Sequence, residues 1–118
     1  MEASSLGLDL ERDGNVAGDL EGLICTARER EWLAAKPPAA RDRLRTLFFS
    51  AKEAVYKCQY PVTRRGLDFR DLELEVDPEA GRFQVRPAVA DAQLSDITRR
   101  MACRMMWSRG FVVTGVRL

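Results

Sequence analysis

Two acidic clusters carry the residue types best suited to chemistry in this chain. The first is residues 7–11, with the sequence GLDLE, in which Asp9 and Glu11 are separated by one leucine. Side chains alternate between the two faces of an extended strand, so both acids share one face and Leu8 and Leu10 share the other. The pattern predicts a strand with one apolar face and one face of carboxylates, which are the oxygen ligands that hard cations prefer.

The second cluster is residues 49–57, with the sequence FSAKEAVYK, for which a helix is predicted. Glu53 and Lys57 stand at positions i and i+4, one turn apart on the same side of that helix. Together with Lys52 they supply one carboxylate and two ammonium groups, a set that can serve a metal ion and the phosphates it holds. A solvated polar face is the alternative interpretation, although the neighbouring Phe49 places a large aromatic ring on that polar side.

The chain has no histidine, which excludes histidine acid–base chemistry and histidine metal sites. The remaining candidate ligands Asp9, Glu11 and Glu53 offer oxygen only, and oxygen ligands suit Mg²⁺, or Mn²⁺ in its place. Grouped carboxylates repel one another and take up protons, so their grouping is better explained with a cation present.

The two clusters together resemble the Sfp-type 4′-phosphopantetheinyl transferases, and FSAKEAVYK is most similar to the enterobactin branch, which serves siderophore synthesis. The resemblance implies that Mg²⁺ and the diphosphate of coenzyme A bind at these clusters. It also implies transfer of the 4′-phosphopantetheine arm to a serine of an acyl or peptidyl carrier protein, which leaves 3′,5′-ADP. Carried onto this chain, Asp9, Glu11 and Glu53 would be the metal ligands, Lys52 and Lys57 the phosphate contacts, and Glu53 and Lys57 part of the catalytic centre.

Glu29 has two competing interpretations. The resembling family has an acidic residue near this position, proposed as the base for the serine, and so Glu29 is a third catalytic candidate. Residues 26–29, with the sequence TARE, also have the S/T-x-x-E form of a helix capping box, in which Glu29 only caps. Both interpretations stay open at this point.

The resembling enzymes normally consist of two similar halves, and residues 5–118 correspond to the C-terminal half alone. The first half is therefore expected to be absent, and a second copy of the chain is the alternative source of the other wall of the cleft, as in the trimeric acyl-carrier-protein synthases. A seam exposing Phe49 beside Glu53 is expected to drive self-association. The competing hypotheses are a non-catalytic metal-binding or interaction module of the same fold, and an unrelated α+β domain with acids on its surface.

Composition limits the remaining possibilities. With 118 residues, 46% of them hydrophobic, one domain is expected. The net charge of +1 gives no support for nucleic acid or an anionic membrane as a partner. The three cysteines have no CxxC spacing, and no signal peptide or membrane-spanning run is recognised, so a cytoplasmic location is expected.

The periodicities predict an α+β fold in which an antiparallel sheet packs on one long helix. The helix follows the Pro37-Pro38 pair and carries an apolar stripe from Leu44 to Cys58. The first strand is predicted at residues 5–11, a hairpin at 72–85 and a second strand pair at 101–114. Short helices are predicted near 17–21 and at 26–35, and residues 89–97 are left as weak helix or loop.

Overall fold

A computed structural model describes residues 5–118. The strands are β1 (Leu6–Arg12), β2 (Leu72–Asp77), β3 (Arg82–Pro87), β4 (Ala102–Ser108) and β5 (Phe111–Arg117). The helices are α1 (Glu21–Ile24), α2 (Ala27–Ala34), α3 (Pro38–Thr63) and α4 (Ala92–Arg99), with short 3₁₀ turns at Gly18–Leu20 and Phe69–Asp71.

The five strands form one antiparallel sheet in the order β1-β5-β4-β3-β2, so that β1 and β2 are its edges. Strands β3 and β4 are in register only at Arg82 and Arg104, and the sheet opens beyond that pair. Helix α3 packs across β1 and β5. The predicted α+β fold, with an antiparallel sheet on one long helix, is confirmed.

Helix α3 begins and ends where local chemistry dictates. Pro38 lies in its first turn, where a missing backbone N–H costs nothing, and Arg64 ends it in the left-handed conformation with φ of 58°. The predicted apolar stripe is buried along its whole length, and Leu47 and Val55 are fully inaccessible to solvent. Burial of this stripe against the sheet is the main contribution of α3 to the core.

The opposite side of α3 is less exposed than its sequence predicts. Ser50 is fully buried, and its hydroxyl lies 2.9 Å from the Thr114 hydroxyl of β5. Lys52 and Gln59 are buried as well. The reason is tertiary. Ser50 lies against β5, whereas α1, α2 and the turn before β2 cover Lys52 on the side of α3 that the sheet leaves open.

Residues 89–97, left as weak helix or loop, contain the start of a capped helix. The Asp91 carboxylate accepts a hydrogen bond of 2.9 Å from the Leu94 backbone N–H, which is an N-cap. Leu94 and Ile97 are buried beneath α4, which packs on β3. None of the helices described between residues 5 and 118 is both long and apolar enough to cross a membrane.

Candidate functional site

Strand β1 holds its two acids against α3, and a glycine makes this contact possible. A Cβ atom at Gly7 would lie 1.9 Å from the carbonyl oxygen of Ala54, so only glycine allows the strand to approach the helix this closely. Asp9 and Glu11 follow on the same face and are partly buried, whereas Leu8 and Leu10 are exposed on the other face. The predicted alternation of acidic and apolar faces is confirmed.

Asp9 makes an ion pair with Lys57 at the edge of this contact. The Lys57 ammonium donates to Asp9 Oδ1 at 2.9 Å and to the Leu8 carbonyl at 3.0 Å. The Asp9 side chain is 9% exposed and the Lys57 side chain 48% exposed. Asp9 Oδ2 is buried and has no hydrogen-bond partner among the described residues. A buried carboxylate oxygen without a donor is costly, so this atom has unused capacity for a donor or a cation.

The Glu11 carboxyl is influenced by the charges of Asp9 and Lys57 as well. Burial is the largest cause that raises the pKa of its carboxyl above the ordinary value, and the negative charges of Asp9 and Glu53 raise it further. A hydrogen bond with the Asn15 side chain and the positive charge of Lys57 act in the opposite direction. The three carboxylates therefore influence one another, and a cation among them would relieve their repulsion.

The donor chemistry of this cluster fits a divalent metal ion. Its carboxylates offer oxygen atoms only, and one of those atoms is buried without a partner in residues 5–118. Within residues 5–118, however, no three His, Cys, Asp or Glu side chains already stand at the spacing that holds a metal ion. Coordination by Asp9, Glu11 and Glu53 therefore stays a prediction, and it requires side-chain rearrangement.

Lys52 does not occupy the position expected of a phosphate contact. Its ammonium donates to the Ile24 carbonyl at 2.8 Å, to Glu29 Oε1 at 2.7 Å and to the Phe69 carbonyl at 3.0 Å. A lysine ammonium has three donors, so all are used, and the side chain is fully buried. The structure does not support the predicted phosphate contact, and Lys52 instead ties α3 to the segments that cover it.

For Glu29, the capping interpretation is confirmed. Glu29 Oε1 accepts from the Thr26 backbone N–H at 2.8 Å, and the Thr26 hydroxyl accepts from the Glu29 backbone N–H at 3.3 Å. Glu29 Oε2 accepts from the Leu74 backbone N–H at 2.6 Å. With both oxygens bonded and the side chain 1% exposed, Glu29 is not accessible to a carrier-protein serine, and the predicted role as base is not supported.

A small cavity of about 200 Å³ opens beside Glu53. Its lining is mainly apolar and aromatic, and it consists of Lys52, Glu53, Tyr56, Leu67, Asp68, Phe69 and Leu72. Sequence reasoning did not single out Tyr56, although its position one turn after Glu53 in the second cluster was a usable signal. A wider crevice of about 1020 Å³ at the end of the β2–β3 hairpin includes none of the predicted site residues.

The exposed apolar surface lies elsewhere than predicted. Phe49 is partly buried, and its ring centroid lies 5.4 Å from that of Phe69, so it does not form an open seam. The open patch is on the face of the sheet away from α3, and we call it the leucine face: Leu6, Leu8, Leu10 and Met106, each 57–62% exposed. Leu6, Leu8 and Leu10 belong to β1, which is an edge strand and carries Asp9 and Glu11 on its other face.

The cysteines do not supply a nucleophile. Cys25, Cys58 and Cys103 are buried and unpaired in disulfides. Burial raises the pKa of the Cys25 and Cys103 thiols to about 12, and it also raises that of Cys58. All three remain protonated at neutral pH, consistent with the prediction that Cys58 fills the core.

Comparison with known proteins agrees with the resemblance seen in the sequence. Residues 5–111 match the sequence profile of the 4′-phosphopantetheinyl transferase superfamily. The chain is 39% identical to the 4′-phosphopantetheinyl transferase Svp of Streptomyces mobaraensis, over 98% of this chain and 48% of Svp. It is 32% identical to the transferase PptT of Mycobacterium tuberculosis, over 97% of this chain and 52% of PptT. The chain thus spans about half the length of these curated relatives.

Solved structures share the fold at lower identity. The holo-[acyl-carrier-protein] synthase of Thermotoga maritima superposes with a TM-score of 0.74 at 17% identity, over 97% of this chain and 62% of that one. The synthase of Bacillus anthracis, solved in complex with CoA (3′,5′-ADP), superposes with a TM-score of 0.70 at 21% identity, over 97% of this chain and 94% of that one. The matched profile and the identity with two curated transferases decide the family, and this chain belongs to the 4′-phosphopantetheinyl transferase superfamily.

Proposed function

We propose that this chain, completed by a second half or a second copy, transfers the 4′-phosphopantetheine arm of coenzyme A to a serine of an acyl or peptidyl carrier protein in a Mg²⁺-dependent reaction. The observation that carries the proposal is the acidic face of β1 held against α3, with one Asp9 oxygen buried and without a partner in the part of the chain that the structure describes. Svp and PptT, which are 4′-phosphopantetheinyl transferases, support the class of reaction. The CoA complex of the Bacillus anthracis synthase supports coenzyme A as the donor.

In this proposal Asp9, Glu11 and Glu53 hold the metal ion, and Lys57 contacts the diphosphate. Bound Mg²⁺ supplies charge neutralisation at the diphosphate, which phosphoryl transfer needs more than covalent help. Lys57 is half exposed at the edge of β1, so its ammonium can turn toward an incoming phosphate. Lys52 is left out of the phosphate site because its three donors are already used.

The chemical step is a substitution at phosphorus. The serine oxygen forms a bond to the phosphorus that bears the pantetheine arm, and the bond from that phosphorus to the leaving 3′,5′-ADP oxygen breaks. The serine proton passes to a carboxylate, and Glu53 is our candidate because it lines the cavity whereas Glu29 is closed off. General-base catalysis of this kind contributes about 10²- to 10⁴-fold.

The cavity beside Glu53 is the proposed place for the pantetheine arm. Tyr56, Leu67 and Phe69 give it an apolar wall next to the carboxylate, and such a wall suits a flexible, largely uncharged chain. The adenine nucleotide end has no matching set of basic residues assigned in this chain. We propose that these residues come from the second half or copy.

The leucine face is the proposed contact with that second half or copy. It exposes four large apolar side chains in one patch, and such patches mark surfaces that associate. Leu8 lies against Gly115 of β5, and Leu10 stands in register with Val113, so the patch is continuous across strands. A partner seated there would reach the edge of β1 and the acids on its other face. The isolated chain is therefore expected to self-associate.

The competing function is a non-catalytic metal-binding or interaction module of the same fold. One observation favours it: no metal cluster is already assembled among residues 5–118. The siderophore pathway remains part of the proposal and rests on the FSAKEAVYK sequence alone.

One assay separates the two functions. The purified chain is incubated with coenzyme A, Mg²⁺ and an apo carrier protein, alone and with the N-terminal half of Svp supplied in trans, and the carrier is examined by intact mass for the added arm. We expect arm transfer with the added half, little or none with the chain alone, and loss of transfer in Glu53→Gln. Transfer by the chain alone would instead indicate that a second copy completes the site. A carrier whose acceptor serine is replaced by alanine controls for non-specific addition. Absence of transfer in every mixture, while the chain still binds Mn²⁺, would favour the non-catalytic module.

A further inference from the structure

The Lys57 ammonium occupies the place of a cation at the acidic face of β1. It lies 2.9 Å from Asp9 Oδ1, so it engages one of the two oxygens that a metal ion would use. Its second acceptor is the Leu8 carbonyl, which belongs to the same strand. Both contacts of this ammonium are therefore to β1, and they fix it beside the carboxylates rather than out in solvent.

The charges that act on the neighbouring Glu11 carboxyl are those of Asp9, Glu53 and Lys57. Asp9 and Glu53 both raise the pKa of Glu11, and Lys57 lowers it. One positive charge therefore partly balances three negative ones, and the buried Asp9 Oδ2 is left without any partner among the described residues.

The Lys57 ammonium is also able to move away from Asp9. Its side chain is 48% exposed, and its flexible stem can reach solvent without disturbing the core. Lys52 shows the contrast, because its ammonium is enclosed by three acceptors and its side chain is fully buried.

We propose that Lys57 is a stand-in cation: it neutralises Asp9 while the site is empty, and it must release Asp9 Oδ1 when a divalent metal ion binds. The inference rests on the proposed function, because it assumes that Asp9 is a metal ligand. It adds that metal binding is an exchange of cations. In the absence of coenzyme A, Lys57 therefore opposes metal binding, even though it later serves the diphosphate.

The proposed exchange of cations predicts that removing Lys57 raises the affinity for the metal ion. Replacing a residue of a metal–diphosphate site would ordinarily weaken every ligand, but Lys57→Met should strengthen binding of the metal ion alone. An ion pair this exposed contributes little, so the expected gain in Mn²⁺ affinity is roughly two- to fivefold. Asp9→Asn should instead weaken Mn²⁺ binding by about tenfold or more, because a charged ligand is lost.

The experiment is a Mn²⁺ titration of the whole chain without coenzyme A, followed by the electron paramagnetic resonance signal of free Mn²⁺. Four proteins are compared: the wild type, Lys57→Met, Asp9→Asn and Lys36→Met. Lys36→Met is the matched control, since it removes the same charge from a lysine that lies over the Trp32 ring, 4.4 Å from its centroid, and outside the acidic cluster. Circular dichroism checks that each variant is folded.

Tighter Mn²⁺ binding in Lys57→Met with no change in Lys36→Met would support the exchange. If Asp9→Asn weakens binding but Lys57→Met is unchanged or weaker than the wild type, the exchange is overturned while the metal site survives. Equal affinities in the wild type and Asp9→Asn would overturn the metal assignment, and the exchange with it. If the wild type shows no binding, binding by Lys57→Met would still support the exchange, and its absence would overturn both.

Discussion

Two lysines of helix α3 form ion pairs with carboxylates of other elements. The nitrogen–oxygen distances of the two pairs are similar, and their surroundings differ. Lys52 meets Glu29 at 2.7 Å, and Lys57 meets Asp9 at 2.9 Å. The first pair is closed, with side chains 0% and 1% exposed. The second pair is open on its lysine side, with exposures of 48% and 9%.

The difference is clearest in how their polar atoms are satisfied. The Lys52 ammonium has three acceptors, and both Glu29 oxygens accept hydrogen bonds. In the second pair, Asp9 Oδ2 is buried without a partner among the described residues. A fully satisfied pair has no capacity left for a ligand, whereas a partly satisfied one has. Lys52 and Glu29 therefore stabilise the fold, whereas Asp9 keeps capacity for a ligand beside Lys57.

The largest effect on stability is expected from removing one partner of the buried Lys52–Glu29 pair. Lys52→Met should destabilise the fold by about 3–5 kcal/mol, because it leaves the Glu29 carboxylate buried without its counter-charge. Chemical denaturation at neutral pH measures this change. Adding Glu29→Gln to Lys52→Met removes the uncompensated charge and should recover part of the loss. A loss below about 1 kcal/mol in Lys52→Met would contradict the closed character of this pair.

The next effect compares the core side of α3 with the side that carries Glu53. Leu47→Ala should cost about 2–5 kcal/mol, since Leu47 is fully buried. Glu53→Ala should cost little, or stabilise the metal-free protein, because it removes a charge that repels Glu11. Denaturation of both variants in a chelating buffer gives the comparison. Equal losses would mean that Glu53 supports the fold and that the functional side of α3 is wrongly assigned.

The sequence predicted one side of α3 well and the other poorly, for a physical reason. The stripe from Leu44 to Cys58 repeats with the helical period, and each of its residues is buried as expected. Lys52 and Ser50 lie off that stripe. The burial of Lys52 depends on α1 and on the turn before β2, and that of Ser50 depends on Thr114 of β5. Periodicity within one helix carries no information about what packs on its other sides, so Lys52 was predicted as a phosphate contact and not as a buried residue.

The same limit applies to the site. The alternation of acids and leucines on β1 is local, and it correctly gave the two faces of the strand. The role of Glu29 depended on a hydrogen bond from the Leu74 backbone, far away in sequence, so the local pattern left two interpretations open. In α4, by contrast, a local signal was overlooked, because Asp91 is an ordinary N-cap.

A smaller effect is expected from the open pair. Lys57→Met should change the free energy of unfolding by no more than about 1 kcal/mol, because half-exposed ion pairs are screened by solvent. Denaturation in metal-free buffer measures it, beside Lys52→Met in the same conditions. A loss as large as that of Lys52→Met would show that Lys57 is a structural tie. The division between the two pairs would then fail.

The smallest effect is a pH-dependent one at Glu11. Because burial and the Asp9 charge raise the pKa of Glu11, the folded chain binds this proton more tightly than the unfolded chain does. The contribution of Glu11 to stability therefore becomes less favourable as pH rises from the ordinary glutamate value of 4.5 through the raised pKa. Glu11→Gln removes this penalty without removing the side chain.

Glu11→Gln should therefore be slightly more stable than the wild type at neutral pH in chelating buffer, by about a few tenths of a kcal/mol, because solvent still screens this partly buried carboxyl. The difference should shrink toward about pH 4, where the wild-type carboxyl takes up its proton. Saturating Mg²⁺ should reverse the order, because ligand binding stabilises the protein that retains the carboxylate. Thermal unfolding of both proteins across this pH range, with and without Mg²⁺, measures all three effects. A wild type that is the more stable of the two at neutral pH without Mg²⁺ would mean that a partner already stabilises the Glu11 carboxylate, and the open site would then be confined to Asp9.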